Sequence, residues 1–215
     1  MHHQSQVRDD QPPSVLSKIR SLVPDRPLRF SEAIHLAELQ ALRFLELTGN
    51  NIAPVPTSVV TTFPRIRVID DPTLPIAGAS HWNGSLREWV IRLNPTDSGP
   101  QRRFTLLHEF KHIIDFGAPG LRQVEAHPVC CERHTELVAD HFATCVLLPK
   151  ARVREVWATG TCDAAAIAAR FDVPMGAARV RLAQLGLLDA EVSLNADNGD
   201  QDYPQSTSNR AEVRS

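Results

Sequence analysis

The chain has 215 residues, 42% of them hydrophobic and 22% charged, with a formal net charge of −2. That size and balance suit one compact domain with tails and supply no global field to gather nucleic acid or an anionic membrane surface. No apolar run reaches the roughly 18 residues of a membrane span, and Met1-His2-His3-Gln4 lacks the apolar centre of a signal peptide. The four cysteines, Cys130, Cys131, Cys145 and Cys162, have no disulfide-framework spacing. They read as reduced thiols, and the expected location is the cytoplasm.

Residues 1–13 are polar and end on prolines, so a disordered tail is expected there. Residues 14–50 read as helices that pack on the core. A short one runs from Ser14 to Val23, and a longer one is N-capped by Ser31 and stopped by Gly49-Asn50. From residue 51 to 150 the character changes, and this stretch reads as the core of the domain. Pro54, Pro56 and Pro64 break any helix, and Arg65–Ile69 alternates like a strand. Ile76–Trp82 and Leu86–Leu93 flank Asn83-Gly84, a hairpin signal. The expected sheet is small and antiparallel, with an edge in segment 76–93 able to bind a substrate in extended form.

The loop through Asp97-Ser98-Gly99-Pro100 leads into Arg103–Asp115, which contains His108-Glu109-x-x-His112. On a helix, residues four apart share a face about 5–6 Å apart at Cβ. Two imidazoles so placed can hold one Zn²⁺, with Glu109 beside its open side. A catalytic zinc needs a third protein ligand. The metzincin extension would require a glycine and a histidine where the chain has Asp115 and Ala118, so that class is excluded. The alternative is a carboxylate on a later helix. Glu132, Glu136 and Asp140 recur every four residues on one stripe, with the small Ala139 and Ala143 beside it. Glu136 is the expected ligand, with Glu132 as the alternative. Asp140 would then accept the second ring N–H of a ligating histidine, which fixes the tautomer and raises basicity.

With Phe104-Thr105-Leu106-Leu107-His108-Glu109-x-x-His112 and then Glu136-x-x-Ala139-Asp140-x-Phe142-Ala143-x-x-x-Leu147-Leu148-Pro149, the chain resembles the ImmA/IrrE metallopeptidases over about residues 30–190. The resemblance implies an α+β fold: a compact zincin-like (gluzincin) domain with two zinc-bearing helices and a C-terminal helical cap. It implies zinc on His108, His112 and Glu136, Glu109 as catalytic base, and Asp140 in the position of a supporting Asn or Asp. The family's understood members cleave helix-turn-helix repressors, freeing stress-response or mobile-element genes. Phe110-Lys111 departs from the small or apolar pair common there, and Lys111 should point away from the metal.

An irregular insert is expected over 116–134, where His127, Cys130, Cys131 and His134 crowd together. Adjacent cysteines suit a second tetrahedral ion poorly, so a loop over the site, redox-sensitive or not, is the preferred reading. Residues 151–190 read as a helical subdomain: Ala151–Thr159, then Ala164–Phe171 and Met175–Leu185 around the turn Asp172-Val173-Pro174. The last two, at 163–186, have a helix-turn-helix character with Arg179, Arg181 and Gln184 on the second helix. A cap on the core is preferred over DNA contact. Residues 191–215 are polar and apolar-poor, an expected disordered tail. The expected activity is zinc-dependent hydrolysis of a peptide bond in one chosen protein. The alternatives are a zinc-stabilised, non-proteolytic DNA- or repressor-binding regulator and a toxin–antitoxin component. Oxyanion support could come from His81, His134, His141 or the Arg102-Arg103 pair.

Overall fold

The computed structural model describes residues 14–50, 52–118, 128–161 and 163–188, with side chains from Glu132 onward in the helix that begins at Pro128. The expected tails, His127, Cys162 and the side chains of Cys130 and Cys131 lie outside the described residues. Helix α1 (Val15–Arg20) starts at Ser14, whose hydroxyl accepts the Ser17 N–H at 3.1 Å. Helix α2 (Phe30–Thr48) starts earlier than the Ser31 cap predicts. The Glu32 carboxylate accepts the Arg29 N–H at 2.8 Å and pairs with Arg26. This satisfies a first-turn donor one residue before Phe30 and sets the entry there. Gly49, in the left-handed region at φ 67°, ends α2.

A short 3-10 turn (Thr57–Thr62) leads to strands β1 (Ile66–Asp70), β2 (Gly78–Asn83) and β3 (Glu88–Leu93). The strand order is β1-β3-β2. β2 and β3 form the antiparallel hairpin anticipated at Asn83-Gly84, with Trp82 opposite Trp89. β1, however, pairs with β3 in parallel, Ile66 beside Trp89 and Val68 beside Ile91. The expected antiparallel sheet is therefore a mixed one. Alternation tells which face of a strand is apolar but not which neighbour it takes or in which direction. Among the described residues β2 pairs only with β3, so its other edge is the free one beside the helix that follows.

That helix, α3 (Gly99–Asp115), is capped by Ser98, whose Oγ accepts the Gln101 N–H at 3.3 Å, and carries Pro100 in its first turn. Its far side faces the core. Phe110 is fully buried with its ring 5.6 Å from Phe44 of α2 and 5.4 Å from that of Phe63. Helix α4 (Pro128–Leu147) closes this core with Phe142, 6.4 Å from Phe110. The expected irregular insert is thus shorter than 116–134, because Glu132 and His134 already belong to α4. Helices α5 (Lys150–Ala158), α6 (Ala164–Phe171) and α7 (Met175–Gln184) follow. Asp163 caps α6, and Asp172 makes the α6–α7 turn at φ 55°.

This helical pair is latched to α3. Arg103 donates to the carbonyls of Asp172 at 3.0 Å and Val55 at 2.9 Å and meets the Asp172 carboxylate at 3.1 Å. Arg181 is 3% exposed and donates to the Leu148 carbonyl at 3.1 Å. It therefore cannot join a surface that reads DNA, as a helix-turn-helix reading would require. Among the described residues no helix is long and apolar enough to cross a membrane. The molecule is helix-rich α+β with a small three-stranded sheet.

Candidate metal centre

Helix α3 brings His108 and His112 to one face, and α4, packed across it, brings Glu136. One ligand atom from each of the three lies within 4.8 Å of the other two. His108 Nε2 is 3.0 Å from His112 Nε2 and 3.1 Å from a Glu136 oxygen, and His112 Nε2 is 3.5 Å from the other Glu136 oxygen. Glu132 is exposed on α4, one turn before Glu136.

Asp140 explains the orientation. Its Oδ1 lies 2.8 Å from His108 Nδ1, and it is buried. A carboxylate on Nδ1 holds a proton there and turns the lone pair of Nε2 towards His112 and Glu136. Burial opposes a charge on His108, but the hydrogen bonds to Asp140 and Glu136 outweigh it and hold the pKa up at about 10. Burial, then the adjacent His108, takes His112 down to about 3, so that ring is neutral. Two imidazole nitrogens and a carboxylate oxygen converging in a largely buried pocket need a shared cation, either a proton or a metal. The donor set is that of a borderline-soft divalent ion.

Glu109 sits beside this group, 1% exposed. Burial pushes its carboxyl above the usual range; His108 and Ser80 pull it back in part, and Glu136 adds to the rise. Gly78 makes the close approach possible. A Cβ there would lie 2.4 Å from Thr105 Cγ2 and 3.2 Å from Glu109 Cγ. Two residues on, the Ser80 hydroxyl donates to the Glu109 carbonyl at 3.5 Å. Sequence reading did not single out Gly78 or Ser80, although a glycine inside a strand is a signal of close packing.

A peptidase family model described as the IrrE N-terminal-like domain matches residues 65–183. The chain belongs to this family. The match takes in the sheet of the IrrE-like domain, both helices of the triad and α5 to α7 as far as Ala183. Among curated proteins none matches the chain. A solved structure, a Mycobacterium tuberculosis transcriptional regulator, matches with a TM-score of 0.56 at 17% identity, over 80% of this chain and 52% of that one. The likeness is one of fold, and this IrrE-like chain spans about half the length of that regulator.

The other residues singled out in the sequence have partners of their own or face away from the triad. His134 stacks on Phe30 with ring centroids 4.2 Å apart. His141 meets Cys145 at 3.5 Å and Gln184 at 3.4 Å. Arg102 pairs with Asp70, and Arg103 with Asp172. His81 alternates with Ser80 and Trp82 and is exposed on the other face of β2. Lys111 is fully buried with its ammonium on Asp115, one turn along α3. Burial pushes the Cys145 thiol up to about 12, so it stays protonated and inert.

Proposed function

We propose that this chain is a zinc-dependent endopeptidase of gluzincin type that cuts one chosen protein. A helix-turn-helix repressor is the substrate class the family resemblance implies, and its cleavage would release stress-response or mobile-element genes. The observation that carries the reading is the convergence of His108, His112 and Glu136 within 4.8 Å, with the buried Glu109 alongside.

His108 and His112 would each present Nε2, and Glu136 a carboxylate oxygen. Zinc, when bound, supplies Lewis acidity, lowering the pKa of its water to about 7 and polarising a carbonyl. Asp140 keeps the His108 proton on Nδ1, which leaves Nε2 free to ligate. Glu109 has the higher basicity that burial gives a carboxylate. It accepts the proton of the attacking water and returns it to the leaving amine. The free edge of β2 aligns the substrate backbone by strand addition.

The test is a calorimetric zinc titration of metal-stripped protein, with cleavage of candidate helix-turn-helix repressors as second readout. Wild type takes up one zinc tightly, and Glu136→Ala weakens it strongly. Glu109→Gln binds zinc as wild type does and fails to cleave. Turnover retained by Glu109→Gln would overturn the role given to Glu109, and zinc uptake indifferent to Glu136 would overturn the ligand set.

A further inference from the structure

Gly78, Ser80 and Trp82 alternate along β2 onto the face that looks at α3. On α3, Thr105, Glu109 and His112 follow at i, i+4 and i+7, one stripe of the helix surface, and Phe116, the residue that ends the helix, continues it at i+11. The two rows run side by side past the triad and end on rings. Trp82 meets Trp89 edge-on with centroids 5.6 Å apart, and Trp89 meets Phe116 at 4.8 Å. Trp89 is anchored against the core, whereas Trp82 is 37% exposed and Phe116 52% exposed. Phe116 comes one turn after His112, about 6 Å along the helix axis. The Arg67–Glu88 pair, at 3.0 Å, lies on the other face of the sheet.

We infer that Trp82, Trp89 and Phe116 form a side-chain subsite beside the scissile bond that takes an aromatic or large apolar residue of an extended substrate. The inference rests on the metallopeptidase reading above and names what that site selects. A segment added to the free edge of β2 alternates as β2 does, so every second side chain points towards α3. One that lies level with Trp82 is a single two-residue repeat, about 7 Å, from the level of Ser80 and Glu109. It meets the exposed parts of the Trp82 and Phe116 rings, with Trp89 between them. Aromatic pairs gain beyond the area they bury, while a carboxylate set among these rings would lose water.

The test uses zinc-loaded protein and calorimetry with hydroxamates, which need the metal but not turnover. Acetohydroxamate reports the metal centre alone. Two peptidyl hydroxamates of one backbone, bearing a benzyl or a carboxyethyl side chain, report the subsite. The benzyl compound is expected to bind about tenfold tighter or more. Trp82→Ala and Phe116→Ala each bring that ratio towards one and leave acetohydroxamate binding unchanged, while Trp82→Phe keeps the preference. Equal binding of the two compounds by wild type, or a preference that survives both alanine substitutions, overturns the subsite and leaves the metal centre standing. Wild type that binds no acetohydroxamate overturns the metallopeptidase reading, and the subsite with it.

Discussion

The nearest approach of the sheet to the proposed base is set by a missing atom. A β-carbon at Gly78 would fall 2.4 Å from the Thr105 methyl and 3.2 Å from Glu109 Cγ. Thr105 is 2% exposed, and its hydroxyl accepts a hydrogen bond from the Gln101 amide at 3.4 Å, so its methyl has little room to retreat. Gly78→Ala should therefore cost about 1–3 kcal/mol, the usual cost of overpacking. It should also displace Glu109 while His108 and His112, which face α4, and Glu136 on α4 still bind zinc. Urea unfolding reads the first effect, and turnover against zinc affinity reads the second. Stability equal to wild type would mean that α3 and β2 separate easily. His108 and His112 were legible in the sequence because helical geometry alone puts residues four apart together. Glu136 and Asp140 were legible from the same periodicity one helix later. Gly78 stood as a glycine in a strand, but its neighbour on α3 is a contact between distant segments that no local pattern encodes.

At the level of elements, boundaries with a local chemical cause were readable. Ser14 and Asp163 cap their helices, Gly49 ends α2, and Asn83-Gly84 opens the turn of the hairpin. The parallel pairing of β1 with β3 was not, because apolar alternation in Ile66–Asp70 fits either direction. Nor was the early start of α4, where Pro128 and two cysteines gave no helical signal. The placing of α6 and α7 depends on Arg103, whose three contacts reach Val55 and both the carbonyl and the carboxylate of Asp172. Its side chain is 18% exposed, so these are charge-assisted bonds in a partly dry setting. Arg103→Met retains the stem and loses the bonds, and should cost about 2 kcal/mol. Hydrogen exchange should then rise in 163–188 more than in α2 or α3. Exchange that rises evenly over the whole chain would mean that the helical pair is held by its apolar contacts instead.

Across the whole molecule, one buried charge cluster ties the N-terminal helix to the end of the helix that carries both histidines. Lys111 is fully buried and paired with Asp115, while Arg20 of α1 donates to the carbonyls of Ile113 and Ile114. Burial lowers the Lys111 pKa, with Asp115 resisting; burial likewise raises that of Asp115, with Lys111 and then Arg20 resisting. Such a pair gives little net stability over apolar residues of the same size, yet is costly to break from one side. Lys111→Met should cost about 3–5 kcal/mol near pH 8. Asp115 then loses its chief partner and its folded pKa rises further above the unfolded one. The folded state therefore binds more protons than the unfolded state between those two values, and stability falls as pH rises through that window. The deficit against wild type should accordingly shrink as pH is lowered towards 5. Lys111→Met with Asp115→Leu removes both charges and leaves the Arg20 bonds to the carbonyls, so the double variant should return close to wild type at either pH. Urea unfolding of the three proteins at the two pH values separates the causes. A double variant as unstable as Lys111→Met, with no pH dependence in either, would mean that the fit of the Lys111 stem holds this corner and the charges do not.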